Sequence, residues 1–98
     1  MKIVYKFRNS SLIQEIREVK FSDKFPKSFE PINLDKRCEF KTQKIKCSFG
    51  TWEAGYRENF EILIKVLNIK DINKKNLEYL KPKLSGKSDN ILLTTDFT

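Results

Sequence analysis

The sequence predicts an α+β fold: a mostly antiparallel sheet of about five strands with two short helices, in a single domain covering residues 1–98. Several short stretches alternate apolar and polar residues, as half-buried strands do. Two other stretches place apolar residues at helical spacing. The length of 98 residues suits one small domain, and eight Phe, three Tyr and one Trp can fill its core.

The first strand and the first helix are predicted at the N-terminus. Residues 2–8 alternate and form a strand. Residues 11–20 are predicted to form a helix, because four apolar residues follow at helical spacing and Ser11 with Gln14 makes a capping box. The apolar residues at this spacing are Leu12, Ile13, Ile16 and Val19. A strand over the same residues is the alternative, since some of these side chains also share a strand parity.

The middle of the chain is predicted to contain a loop and then short strands. Residues 22–31 contain two prolines and no consistent period, which predicts a loop. Short strands are expected at 32–34, 38–42 and 45–49, with a tight turn at 43–44. Short links of this kind imply antiparallel pairing.

The C-terminal part is predicted to add a central strand, the second helix and a last strand. Residues 60–67 alternate and are half apolar on their second face, which predicts a strand covered on both sides. Asp71 is expected to cap a helix that ends at Pro82. Residues 85–90 are predicted to be a loop, and residues 91–97 a final strand.

Cys38 and Cys47 are expected to be reduced thiols in the core. The N-terminal residues contain no apolar signal segment, and no apolar run approaches the ~20 residues that span a bilayer. We therefore expect a cytoplasmic location and no membrane partner. If these cysteines lie on adjacent antiparallel strands, they would face each other.

The residue types that most catalytic sites use are scarce. Histidine is absent, and the cysteine spacing has no zinc pattern. Gly86-Lys87-Ser88 resembles the end of a phosphate-binding loop, but position 81 is lysine where that loop needs glycine. Three glutamates near Arg57 are more typical of a solvated charge network than of acid–base chemistry. We therefore expect no enzymatic activity, no catalytic residue, no metal and no cofactor.

The charge balance points to an acidic or polyanionic partner. Lysine and arginine outnumber aspartate and glutamate by 20 to 13, a formal charge of +7. Residues 36–46 and 65–87 are the two most basic stretches. A small nucleic-acid-binding protein is therefore one interpretation. Arginine, which base-reading proteins favour, is scarce, and an ordinary lysine-rich surface is the other interpretation.

The stretch FGTWEAGYRENFEI, residues 49–62, is the best candidate for a binding surface. Gly50 and Gly55 flank the only tryptophan and predict a turn or bulge between strands. Tryptophan, tyrosine and arginine are enriched in interface hot spots. The alternative is that Trp52 closes the core and Tyr56 covers its rim. The candidate partner-binding residues, including two lysines of the basic C-terminal stretch, are Trp52, Glu53, Tyr56, Arg57, Glu58, Lys74 and Lys75.

Residues 50–60, GTWEAGYRENF, resemble a segment of bacterial immunity proteins of contact-dependent growth inhibition systems. There a similar run precedes an apolar strand, a helix started by aspartate and a Leu/Thr-rich strand. The resemblance implies a cytoplasmic, non-enzymatic antitoxin. Such a protein would bind the C-terminal domain of a cognate toxin, expected to be a nuclease, in a 1:1 complex and block its active site or cofactor contact. An inhibitor of a host defence protein, encoded by a phage, is a further alternative.

Overall fold

The computed structural model of the chain describes residues 1–88 and 90–97, except for the side chains at positions 71, 74, 76, 78 and 97. Eight strands form two four-stranded antiparallel sheets. Sheet 1 has the strand order β3-β6-β1-β8, and sheet 2 has the order β4-β5-β2-β7. The strands are β1 (Lys2–Asn9), β2 (Ile16–Lys24), β3 (Phe29–Ile32), β4 (Cys38–Lys41), β5 (Lys44–Trp52), β6 (Arg57–Val66), β7 (Lys83–Ser85) and β8 (Ile91–Phe97).

The two sheets pack face to face around an aromatic core. Tyr5 and Phe7 of β1 are buried and meet Phe21 of β2, with ring centroids 4.6 and 5.3 Å apart. Phe60 of β6 lies 5.7 Å from Phe7, and Trp52 of β5 lies 5.4 Å from the same ring. Alternate residues of each inner strand therefore form one layer of side chains between the sheets.

The predicted α+β class is wrong, and the helix predicted at residues 11–20 is the clearest reason. This segment enters β2, where a bulge interrupts the pairing with β5 between Ile16 and Val19. Glu18 has a φ of 54° there. A bulge adds one residue to a strand, so Ile16 and Val19 both point into the core although they are three apart. The bulge thus reproduces the spacing that was interpreted as helical.

Ser11 caps a local turn that does not continue as a helix. The backbone N–H groups of Ile13 and Gln14 donate to Ser11 Oγ over 3.3 and 3.0 Å. This is a local turn that a serine can close by itself. The chain then continues as a strand, so the hydrogen bonds of a second helical turn do not follow.

The segment between β6 and β7 contains the short helical turns of the described chain. A 3₁₀ turn at Ile69–Asp71 precedes a six-residue helix, α1 (Lys74–Tyr79). Asp71 is the last residue of the 3₁₀ turn, and α1 begins only at Lys74, so the prediction that Asp71 caps the helix is wrong. No helix in the described part of the chain is long and apolar enough to cross a membrane.

Two further predictions fail because of how the sheets are assembled. The loop predicted at 22–31 is mostly strand, since β2 runs to Lys24 and β3 pairs with β6. Pro31 is tolerated because β3 is an edge strand. The β6 strand is not covered on both faces, since Leu63 on its outer side is 47% exposed.

Cys38 and Cys47 form a disulfide, so the expectation of two free thiols is wrong. The β4–β5 hairpin turns at Thr42 and Gln43, whose φ values of 54° and 60° suit a two-residue turn. The cysteines are directly opposed, with Cα atoms 4.0 Å apart. The neighbouring pair, Arg37 and Ser48, is hydrogen-bonded, because Ser48 N–H donates to the Arg37 carbonyl over 2.9 Å. The cysteines therefore occupy the close, non-hydrogen-bonded pairing, where facing side chains meet.

Replacing both cysteines with alanine is expected to lower the free energy of unfolding by about 2–3 kcal/mol, the usual effect of cross-linking a loop of this size. Urea unfolding of the wild type and of Cys38→Ala/Cys47→Ala would measure the difference. A thiol reductant should destabilise the wild type and leave the variant unchanged. Equal responses of the two proteins to reductant would show that the bond does not form in solution.

Candidate functional site

Asn9 organises the end of the sandwich where the predicted binding stretch lies. Its side chain is buried, and Nδ2 donates to the carbonyls of Gln14 and Glu53 over 2.8 and 3.1 Å. Its backbone N–H donates to the Tyr56 carbonyl over 2.9 Å. One side chain therefore holds the β1–β2 connection against the β5–β6 turn. These hydrogen bonds satisfy part-buried backbone carbonyls of the two connections.

Trp52 belongs to the core and offers no exposed ring to a partner. Gly50 has a φ of 71° at an irregularity in the β2–β5 pairing, a conformation that favours glycine. After this irregularity Trp52 turns inward and is 1% exposed. Tyr56 stacks on it with ring centroids 5.2 Å apart. This arrangement is the alternative in which Trp52 closes the core and Tyr56 covers its rim.

Glu58 and Arg37 form an ion pair that joins the two sheets. The Arg37 guanidinium donates to both Glu58 carboxylate oxygens, over 3.0 and 2.7 Å, and to Asp35. It also lies 4.7 Å from the Phe49 ring centroid. Hydrogen bonds from Arg37 hold the pKa values of Glu58 and Asp35 below their ordinary values. The Tyr56 hydroxyl donates a hydrogen bond to Glu58. The pKa of Tyr56 is raised, mainly by desolvation and secondly by the Glu58 carboxylate.

The remaining predicted residues are separated in space. Glu53 and Arg57 are exposed at the β5–β6 turn. Lys75 is exposed on α1, which follows the opposite end of β6. Lys74 lies on the same helix, but its side chain is outside the described part of the structure. The fold thus brings Trp52, Tyr56 and Glu58 together as a supporting cluster and does not join them to the lysines.

The outer face of sheet 2 carries a regular array of lysine and serine. Residues that point away from the core fall into three rows across the strands, because the pairing sets them side by side. We call these residues the lysine–serine face. The rows are Ser48, Lys20 and Ser85; then Glu39, Lys46, Ser22 and Lys83; then Lys41, Lys44 and Lys24.

This face is concave and its charge is not neutralised by neighbours. A groove with a volume of about 680 Å³ crosses all four strands and is lined by several of these lysines and serines. None of the six lysines forms an ion pair with another described residue. Lys41 and Lys44, and Lys44 and Lys24, are direct cross-strand pairs of like charge. Such pairs destabilise a sheet, which is the expected arrangement if an anion neutralises them in a complex.

The outer face of sheet 1 is different. There Lys6 pairs with Asp96 over 2.8 Å, and Lys2 pairs with Glu61 over 3.5 Å. Opposite charges are thus paired on this face, apart from the cross-strand neighbours Arg8 and Arg57, whereas lysine outnumbers acidic residues six to one on the lysine–serine face. The positive charge of the chain is therefore concentrated on the lysine–serine face.

Sequence reasoning found only part of this face. The basic stretch at 36–46 includes its β4 and β5 lysines, but Lys20 and Lys24 were assigned to a helix and a loop. A usable signal was present, because lysine and serine alternate with apolar residues along residues 19–22 and 44–49. Recognising both segments as neighbouring strands would have revealed the face.

A buried carboxylate lies beneath the face. Asp23 is 2% exposed and accepts hydrogen bonds from the Tyr5 hydroxyl, from Lys24 N–H and from Lys81 N–H. Desolvation raises the pKa of Asp23 above its ordinary value, although these hydrogen bonds act in the opposite direction. The bond from Lys81 N–H fixes the chain just before β7. Asp23 therefore positions the edge strand that supplies Lys83 and Ser85.

The chemistry that this arrangement supports is electrostatic binding. Lysine ammonium groups attract carboxylates and phosphates, and serine hydroxyls can donate hydrogen bonds to the same oxygens. No family model, curated protein or solved structure matches the chain.

Proposed function

We propose that the protein is a binding protein, without catalytic activity, that captures an acidic macromolecular partner on the lysine–serine face. The observation that carries this proposal is the concave face itself, with six lysines that lack ion pairs to other described residues. A partner that supplies negative charge would relieve the repulsion within the rows. It would also be drawn to the face from a distance, which speeds association.

In the specific form of the proposal, the partner is the toxin domain of a contact-dependent growth inhibition system. The protein then acts as its immunity protein in the cytoplasm of the producing cell, where the Cys38–Cys47 disulfide would be an exception to the usual reduced thiols. The support is the resemblance of residues 50–60 together with a surface that can dock on an acidic protein face. Binding at the active site or beside it would exclude substrate. The proposal requires a toxin domain with an acidic docking surface.

The predicted binding stretch has a supporting role in this proposal. Trp52, Tyr56 and Glu58 connect the sheets and keep the sandwich closed. Arg57 and Glu53, which are exposed on the adjoining turn, remain candidates for a secondary contact.

Nucleic acid is the second candidate partner, and the composition of the face favours it. Lysine and serine bind phosphates without reading bases, and none of the ten residues of the face is aromatic or arginine. Arg37 also lines the groove, but Glu58 and Asp35 hold its guanidinium. Protein interfaces usually depend on such anchors. Nucleic acid bound here would therefore be held by its backbone and with little sequence preference.

The test compares two variants of equal net charge. Lys20→Glu/Lys46→Glu/Lys83→Glu reverses charge on the lysine–serine face. Lys6→Glu/Arg8→Glu/Lys65→Glu makes the same change on the outer face of sheet 1. We expect the first variant to lose at least about 100-fold in affinity for the partner and the second to lose less than about tenfold. Calorimetry against the candidate toxin domain, and gel shift with DNA and RNA at low salt, would measure both.

The outcomes separate the two candidates. Toxin binding and rescue of cells expressing the toxin, both lost in the first variant, support the immunity role. Binding to bulk nucleic acid with a steep salt dependence supports the second candidate. Equal losses in the two variants would show that overall charge, and not this face, attracts the partner. Absence of binding to any acidic macromolecule would refute the proposal.

A further inference from the structure

A cluster of exposed aliphatic side chains lies on the connection that follows β6. Leu67, Ile69 and Ile72 are 58%, 78% and 42% exposed. They fall within six residues of one another around the 3₁₀ turn. We call these three residues the apolar tip. Single exposed aliphatic residues are common on proteins, but a cluster of this kind marks a contact surface.

The three residues of the apolar tip do not pack into the core. The same connection contributes Leu80, which is buried, and Leu77, which packs against the core cluster. These two leucines attach α1 to the sandwich. The tip residues precede that attachment and are directed into solvent, although the segment had other apolar residues with which to anchor itself.

The segment that carries the tip has an excess of positive charge in its sequence. Residues 65–81 contain five lysines against Asp71 and Glu78. The β2–β3 connection, which carries exposed Lys27, is adjacent, because Leu67 N–H donates to the Ser28 carbonyl over 2.9 Å. One end of the lysine–serine face lies on the same side of the molecule. There the Phe25 N–H of the β2–β3 connection donates to the Gln43 carbonyl of the β4–β5 turn over 2.8 Å.

The other end of the sandwich has exposed apolar residues beside basic side chains that are paired. Leu12 and Ile13 are 79% and 88% exposed on the β1–β2 connection. Arg17 and Lys87 line the cleft beside Ile13, and they form ion pairs with Glu15 and Glu18. The two ends therefore have similar apolar exposure and different charge. This difference makes the second end a matched control.

We propose that the apolar tip and its lysines bind the surface of an anionic lipid bilayer. Aliphatic side chains can enter the boundary between headgroups and acyl chains, while nearby lysines remain with the anionic headgroups. The tip residues line neither the groove of the lysine–serine face nor the clefts beside it, and they are exposed. A fluid bilayer can take up exposed side chains of this kind without a preformed complementary surface.

This inference goes beyond the proposed function and does not depend on it. The sequence led us to expect no membrane partner because no segment is long enough to span a bilayer. Peripheral binding needs no spanning segment. Recruitment to a membrane surface would add to the partner binding described above and would use a different part of the molecule.

Vesicle flotation of the intact protein tests the inference. The probes are phosphatidylcholine vesicles and vesicles in which about a third of the lipid is phosphatidylserine. We expect binding to the anionic vesicles only. Leu67→Ser/Ile69→Ser should lower the partition coefficient at least about tenfold, whereas Leu12→Ser/Ile13→Ser should leave it unchanged. Thermal unfolding of both variants should match the wild type, since all four side chains are exposed.

Each other outcome would overturn the inference. No binding of the wild type to anionic vesicles would exclude a lipid partner. Equal losses in both serine variants would mean that exposed apolar surface alone is responsible. Binding that survives Leu67→Ser/Ile69→Ser but disappears in Lys20→Glu/Lys46→Glu/Lys83→Glu would assign vesicle binding to the lysine–serine face. A loss of toxin binding in the tip variant, without vesicle binding by the wild type, would make the tip a protein contact.

Discussion

Replacing Trp52 with alanine is expected to lower the free energy of unfolding by about 3–5 kcal/mol. The indole is 1% exposed and lies between the Phe7, Phe49 and Tyr56 rings, with centroids 5.4, 5.9 and 5.2 Å away. Removing it would leave a cavity that cannot collapse easily, because the sheets on either side are held by their ladders. Chemical denaturation followed by circular dichroism would measure the loss.

Two controls separate packing from other effects at this position. Trp52→Phe keeps an aromatic ring and removes Nε1–H, which has no hydrogen-bond acceptor among the described residues. We expect it to cost only about 1–2 kcal/mol. Arg57→Ala, an exposed change close by in the chain, should alter stability by less than about 0.5 kcal/mol. If Trp52→Ala were as stable as Arg57→Ala, the indole could not be part of the core.

Asp23→Ala is expected to lower the free energy of unfolding by about 2–4 kcal/mol. Three donors would lose their acceptor: the Tyr5 hydroxyl and the backbone N–H groups of Lys24 and Lys81. Removing a buried charge offsets part of this loss, which keeps the expected value below the sum of three broken bonds. Urea unfolding at neutral pH would give the difference.

Asp23→Asn is the matched variant, because it keeps the shape and most of the hydrogen bonds. Oδ1 accepts both backbone N–H groups, so an amide oxygen can replace it, and the amide nitrogen can donate to the Tyr5 hydroxyl. We expect its stability at neutral pH to lie within about 1 kcal/mol of the wild type. A loss as large as that of Asp23→Ala would show that the carboxylate charge is itself required.

The pH dependence of stability provides a second test at Asp23. Desolvation raises the folded pKa of this carboxyl, so between about pH 4 and that folded pKa the folded state retains a proton that the unfolded state has released. The contribution of Asp23 to stability should therefore fall as pH rises through its folded pKa, and this slope should be absent in Asp23→Asn. Identical pH profiles of the wild type and Asp23→Asn would contradict the assignment.

Asp35 and Glu58 make stability depend on pH in the opposite direction. Arg37 lowers their folded pKa values, so their contribution to stability is lost as pH falls below about 4.

Local patterns in the sequence determined several strands. Residues 2–8 alternate because one side of β1 faces the core. Residues 91–97 contain β-branched residues, which predicted a strand, and they form β8. The two-residue turn of the β4–β5 hairpin was also predictable within one position. In each case the signal depends on residues that are close in the chain and on a two-residue period. Such signals do not depend on which distant segments the strand pairs with.

Tertiary structure decided the features that determine the fold class and the site. The bulge at Glu18 gave β2 the spacing of a helix, and only pairing with β5 shows that it is a strand. The disulfide required β4 and β5 to be in register. The lysine–serine face combines residues from positions 20 to 85, and the basic stretches seen in the sequence contained only part of it. Sheet pairing is a long-range property, and a register shift of one residue in a strand would turn the lysines of that strand into the core.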